Sequence, residues 1–322
     1  MRNDFVRTFL FDKADIVKSA GKISMPMMMD AGKEGWVGIP HGGIGMGAML
    51  ELANAFDHCV CGNDLTYPIH CSFRMGGSEV RVGDPVLVEA MPTETGISGR
   101  ISPPGAERPY ITGEISFGKV APEKDDYARN YIPENFSQIS GKLEHIPYYL
   151  NCFVCGVDRS IPGLKRQFHL WRSPHGDVVC AFSGFNAEDG QTMHLFSRNG
   201  CLHPITLFAV LDETMGWGGF MAYAQGGVSV RLKYTLLRTI GAHEKVVFFG
   251  RGEQAKGHID KRMFFWASGC GAVMRDDGSF EVAVVSSGQW YAMKALTEQM
   301  KNELIPREQN ERIFAMAANR SG

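Results

Sequence analysis

The sequence has little net charge, no long apolar run and no recognisable export leader. Its 33 Lys+Arg against 35 Asp+Glu leave a formal charge of −2. That balance excludes the electrostatic footprint that nucleic acid or an anionic membrane surface requires. No apolar stretch approaches the roughly 18 residues a membrane-spanning helix needs. Asp4 and Arg7 fall where an export leader would carry its apolar run, so a cytoplasmic protein is expected. The eight cysteines are even in number, yet without such a leader they read as reduced thiols rather than a disulfide set. Hydrophobic residues at 44% and charged residues at 21% are ordinary for a globular chain, which excludes disorder as the dominant state. At 322 residues the chain is long enough for about two domains, each able to bury a core without staples.

What is plentiful is glycine, 38 residues, together with an internal repetition. His41-Gly-Gly-Ile-Gly-Met-Gly-Ala-Met-Leu-Glu51 opens one helix-like segment. His203-Pro-Ile-Thr-Leu-Phe-Ala-Val-Leu-Asp-Glu213 opens another, 162 positions later. Downstream, the segments around Gly83 and Gly241 resemble each other at a separation of 158. Two ordered matches near half the chain length read as two copies of one plan.

Each copy reads as a helix followed by strands. Residues 42–56 lack proline and place Ile44, Ala48, Leu52 and Ala55 on one face. Gly45 and Gly47 weaken that helix and point to another backbone approaching closely. Residues 204–224 form the stronger helix, with Pro204 suited to its first turn. β-rich runs follow at 80–89, 96–101 and 110–118, then at 228–237, 245–251, 263–274 and 280–287. Asp276-Asp-Gly278 marks a hairpin between the last two. Long helix then consecutive strands predicts an α+β fold with antiparallel sheets. The expected domains are 1–120 and 147–322, joined by a polar linker at 121–146 that carries Pro122 and Pro133. The tail, 292–320, is predicted helical with a break near Pro306.

His-Gly-Gly followed by a helix with a carboxylate nine positions after the His resembles the signature of hotdog-fold acyl-CoA thioesterases, the phenylacetate-pathway type above all. Asn151-Cys-Phe-Val-Cys-Gly156 with Ile161-Pro-Gly-Leu164 is similar to a segment seen upstream of the helix in that group. Gly35-Trp-Val-Gly-Ile-Pro-His-Gly-Gly43 resembles the approach to the same helix in the first copy. The resemblance implies two hotdog domains in one chain, each a long helix wrapped by an antiparallel sheet. It also implies hydrolysis of an acyl-CoA thioester, with coenzyme A as part of the substrate and no separate cofactor or metal. In that family the carboxylate comes from the partner copy, so each site straddles two copies.

The physical chemistry of the residues agrees with that chemistry. The first turn of a helix carries unpaired N–H groups and partial positive charge. Gly42 and Gly43 let a carbonyl oxygen approach them, and such a donor is worth about 10²–10³ in rate. A carboxylate then activates water or attacks directly. The copies differ in which parts they hold. The first has Gly42-Gly43 but Leu50 at the ninth position, with Glu51 one residue late; the second has Asp212 at the ninth position but Pro204, which has no N–H. Crossing them gives one site with His41, Gly42, Gly43 and Asp212, His41 shaping the turn. The reciprocal site, Pro204 facing Leu50, is expected to hold neither donor nor carboxylate. Gly35 stands where related thioesterases carry an amide side chain.

Plainer readings stand beside these. Asp212-Glu213 also fits the polar edge of an exposed helix. Cys152 and Cys155 read as a reduced structural loop without metal, and Cys59 and Cys61 as packing. Arg231, Lys233, Arg251 and Lys256 fit solvated strand faces or the phosphates of coenzyme A. Trp217 and Phe208 fit core or acyl-pocket walls. The rival functions are an enoyl- or hydroxyacyl-CoA hydratase-dehydratase and a non-catalytic acyl-CoA-binding protein. Pairing of whole chains into a homo-oligomer is left open.

Overall fold

A computed structural model describes residues 5–12, 14–19, 21–53, 67–118, 131–304, 310–311 and 314. Ala55, Cys59, Cys61, the first part of the expected linker with Pro122, Pro306 and the end of the tail lie outside the described residues.

The first half opens with helix α1 (Phe5–Phe11), strands β1 (Val17–Ser19) and β2 (Lys22–Met28), then a small hairpin of β3 (Glu34–Trp36) and β4 (Ile39–Pro40). The hairpin feeds helix α2 (Gly42–Ala53), followed by β5 (Ile69–Met75), β6 (Pro85–Pro92), β7 (Gly96–Ser102) and β8 (Ile111–Phe117). The second half opens with β9 (Leu143–His145), β10 (Phe168–Ser173), β11 (Gly176–Ser183) and helix α3 (Ala187–Leu195). A hairpin of β12 (Ser197–Arg198) and β13 (Cys201–Leu202) feeds helix α4 (Pro204–Tyr223). Then come β14 (Gly227–Leu236), β15 (Val246–His258), β16 (Arg262–Met274) and β17 (Phe280–Ala292), with helix α5 (Lys294–Gln299) running into a π-helical turn at Met300–Leu304.

Thirteen strands make one antiparallel sheet in the order β1-β2-β6-β7-β8-β5-β14-β17-β16-β15-β11-β10-β9. Read outward from the β5–β14 seam the order is palindromic: β5-β8-β7-β6-β2 on one side and β14-β17-β16-β15-β11 on the other. The two halves therefore relate by a pseudo-twofold axis through the seam, where Phe73 pairs with Leu232 and Cys71 with Tyr234. Helix α2 lies on β2 and β6–β8, α4 lies on β11 and β14–β17, and the two helices pack against each other.

Alternation explains the sheet. Ile69, Cys71 and Phe73 point into the core, while His70, Ser72 and Arg74 point away. The expected one-sided face of α2 is too narrow: every residue from Gly43 to Ala53 is buried, because sheet and partner helix enclose it. Its glycines make that fit. A Cβ on Gly47 would come within 2.6 Å of Ile205 Cβ, and one on Gly43 would overlap Ala209, so the helices cross over a strip of small residues. Each fully buried Leu, Ile or Phe around them contributes about 1.5–3 kcal/mol.

The later part of the expected linker is itself packed. Tyr131 and Ile139 join Trp171, Val178, Phe249 and Cys270 in a second, smaller core on the outer side of the sheet. Leu143–His145 pairs with β10 as β9. The 80–89 strand begins later than its sequence suggests, at Pro85, because Val80–Asp84 turns through Gly83 at φ +102°. No helix among the described residues is long and apolar enough to cross a membrane.

Candidate active site

The pseudo-twofold axis sets the two helices antiparallel, Gly43 against Ala209 and Gly47 against Ile205, so each N-terminus lies beside a later turn of the other helix. His41 and His203 each stand one residue before a helix and use the side chain to cap it. Nδ1 of His41 accepts the Gly43 N–H at 3.1 Å, and Nδ1 of His203 accepts the Ile205 N–H at 3.2 Å. Each imidazole thus keeps its proton on Nε2 when neutral, a tautomer assigned from its partners. The Nε2 then reaches a carboxylate of the other half. His203 faces Glu51 Oε2 at 3.2 Å and His41 faces Glu213 Oε2 at 3.5 Å. His41 and His203, Glu51 and Glu213, Leu50 and Asp212 are each 162 positions apart.

This corrects the expectation that the reciprocal site holds no carboxylate. Glu51 is there, at the position equivalent to Glu213, and Arg198 adds a second bond to Oε1 at 2.9 Å. What the reciprocal site lacks is a counterpart of Asp212, since Leu50 stands in that place. Burial alone would raise the Glu51 carboxyl, but bonds from His203 and Arg198 outweigh it and hold the pKa down to about 2. It is a neutralised structural ion pair.

Asp212 has a different environment. It is 7% exposed, which rules out the polar-edge reading. Burial, joined by the charge of Glu213, pushes its pKa up to about 6 against the opposing pull of His41 and the nearby Ser229 hydroxyl. Its Oδ2 lies 4.0 Å from His41 Nδ1 and would be 2.9 Å from a Cβ on Gly42. Gly42 and Asp212 from opposite halves are therefore in contact, as the crossed pattern expects. Gly42 N–H opens α2, has no acceptor within its helix, and takes none among the described residues. Gly43 differs: its N–H is taken by His41, and its missing side chain serves the helix crossing. Pro204 occupies the place equivalent to Gly42 and offers no donor.

Both residues line a cavity of about 460 Å³ shared by the two halves. Met75, Tyr110, Trp217, Phe220, Ser229, Trp290 and Met300 contribute to its wall. Trp217 belongs to that wall, whereas Phe208 packs in the core against Phe73 and Tyr234. Arg231, Lys233, Arg251 and Lys256 do not line it; Arg231 and Lys233 sit on the outer face of β14, and Arg251 pairs with Glu253. Gly35 abuts His41, whose Cα would be 2.9 Å from an added Cβ, so an amide side chain does not fit there.

The Cys152 loop reaches the site as well. The Cys152 thiol donates to Glu213 Oε2 at 3.2 Å and its sulfur accepts the N–H groups of Val154 and Cys155. His41, Cys152 and Glu213 thus lie within 4.8 Å of one another, a ligating spacing that the Cys152 hydrogen bond and the His41 ion-pair contact to Glu213 also explain. Met75, Tyr110, Ser229 and Glu213 are the site residues that sequence reasoning missed. Glu213 left a signal in its 162-residue separation from Glu51, and Met75 as the last step of the Ile69, Cys71, Phe73 alternation.

Comparison with solved structures bears on the fold. A structure provisionally described as thioesterase II from Thermobifida fusca matches over 88% of this chain and 97% of its own, at 14% identity and a TM-score of 0.55. A GphF dehydratase variant matches over 88% and 98%, at 13% identity and a TM-score of 0.53. A provisionally assigned oleoyl thioesterase from Lactobacillus plantarum matches over 88% and 99%, at 10% identity and a TM-score of 0.50. Family models and curated proteins gave no match. Identities this low speak to architecture alone, and on that ground the chain is an α+β protein of the hotdog fold.

Proposed function

We propose that the chain is an acyl-CoA thioesterase with a single composite site between its two hotdog domains. The thioester oxygen accepts the Gly42 N–H at the positive end of α2, where negative charge develops as the carbonyl is attacked. Asp212 acts as the general base for water or as the attacking nucleophile. His41 orients the turn and Glu213 holds His41. The observation that carries this reading is the contact between Asp212 and Gly42, two groups supplied by different halves and absent together from the equivalent position.

The elevated Asp212 pKa of about 6 suits a base that must be ionised near neutrality yet still take a proton. The reading needs no metal and no cofactor beyond the coenzyme A of the substrate. A hydratase-dehydratase is disfavoured because both His41 nitrogens face protein partners, Gly43 N–H and Glu213. The test is release of free thiol from a panel of acyl-CoAs. Turnover of at least one member, abolished in Asp212→Asn, is the expected result. Tight binding of the panel without turnover would replace the enzyme with an acyl-CoA-binding protein.

A further inference from the structure

Helix α4 contains three glycines, Gly216, Gly218 and Gly219, in its second half. Glycine is disfavoured inside a helix, so each calls for a reason. Two have one in packing. A Cβ on Gly218 would lie 2.8 Å from Arg251 N, and one on Gly219 would overlap the Phe265 ring. Gly216 has no such neighbour: its Cβ would meet Trp290 Nε1 at an ordinary 3.6 Å. It borders the cavity that holds Asp212.

Asp212, Gly216 and Phe220 fall four residues apart and share one helix face, which follows the cavity for about 12 Å. The two ends of the cavity differ. Gly76, Glu79 and Arg81 are exposed and make a polar mouth. Phe220, Trp290 and Met300 are buried and make an apolar floor, with Trp217 and Met293 beside them. Asp212 and Gly42 stand at the start of the line, next to Met75, whose chain leads into the mouth.

We propose that Gly216 is the aperture between the reacting carbonyl and this floor, and that the substrate is a thioester with an extended apolar acyl group. Such a group passes over Gly216 and reaches about two helical turns beyond Asp212, as a decanoyl chain would; the polar coenzyme stays at the mouth. The proposal rests on the hydrolase reading above. A side chain at 216 fills the passage, which shortens the acyl group the site accepts and leaves the helix N-terminus of α2 untouched.

Thiol release from acetyl-, hexanoyl- and decanoyl-CoA by the wild-type chain, Gly216→Ala and Gly216→Phe tests it, with folding checked by thermal melting. The expected wild-type kcat/KM for decanoyl-CoA exceeds that for acetyl-CoA by about tenfold or more, since each added methylene gains apolar contact. Gly216→Phe should cut the decanoyl-to-acetyl ratio by about tenfold or more, and Gly216→Ala by a smaller step. Should Gly216→Phe not fold, the Ala variant decides. A ratio unchanged by the variants that fold, or a wild-type preference for acetyl-CoA, overturns the aperture. If the wild type turns over no thioester, the hydrolase reading fails, and the aperture is read by titrating S-decyl-CoA, a thioether that cannot be hydrolysed. Binding weakened by Gly216→Ala or Gly216→Phe supports the aperture; equal binding by wild type and variants, or none, overturns it.

Discussion

Asp212 and Glu51 are both buried carboxylates beside a histidine, and the protein treats them in opposite ways. The Asp212 pKa rises from 3.8 to about 6, chiefly through burial. The folded chain therefore holds that proton more tightly than the unfolded one. This favours folding fully below pH about 4, and the advantage is lost as pH rises through about 6. At neutral pH the ionised group is a liability of at most about 3 kcal/mol. Asp212→Asn should thus abolish turnover while raising the melting temperature at pH 8. Glu51 runs the other way: its pKa falls from 4.5 to about 2 once His203 and Arg198 overcome burial. Its contribution, about 3 kcal/mol, is present above pH 4.5 and lost as pH falls through 2. Glu51→Gln should lower the melting temperature at neutral pH, and calorimetry of the two variants at pH 8 checks both signs. For activity, kcat/KM should climb tenfold per pH unit below about 6 and level off above it; a profile flat from pH 5 to 8 contradicts Asp212 as the base.

At the scale of elements, the two helices show what glycine does and does not do. Gly47→Ala would drive a methyl into Ile205 and should cost about 1–3 kcal/mol. Gly216→Ala meets no clash and should stabilise the helix by up to about 1 kcal/mol, as chemical denaturation would show. Gly42→Ala sits between these: its methyl would press on Asp212 Oδ2 and Met75, so turnover should fall with little loss of stability. Both long helices and most of the strands after them were legible in the sequence, because 3.6-residue and two-residue periods are local signals. Strands β2, β5, β10 and β11 escaped, although Ile23, Met25 and Met27 alternate inward along β2 and Ile69, Cys71 and Phe73 along β5. The polar linker concealed β9 and the buried Tyr131, since burial there depends on the outer face of β15 and β16.

For the whole molecule, the decisive fact is the palindromic sheet. It makes the contacts between the two helices long-range: Glu51 finds His203 and Glu213 finds His41 in the other half. That is why the crossing of Gly42 with Asp212 could be read from two aligned segments, while the His–carboxylate pairs could not. Spacing along one helix shows Glu51 one step off the Asp212 position; only the fold shows that this step turns it from the cavity to His203 and Arg198. Symmetry of fold with asymmetry of chemistry is the central claim, and a single assay addresses it. Free-thiol release by wild type, Asp212→Asn and Glu51→Gln should be compared at pH 7.5 on the best acyl-CoA, below each variant's melting temperature. The account predicts loss of about 10²-fold or more in Asp212→Asn. It predicts turnover within a few-fold of wild type in Glu51→Gln, whose carboxylate belongs to the structural pair. A reversed order, with Glu51→Gln inactive and Asp212→Asn active, would contradict it.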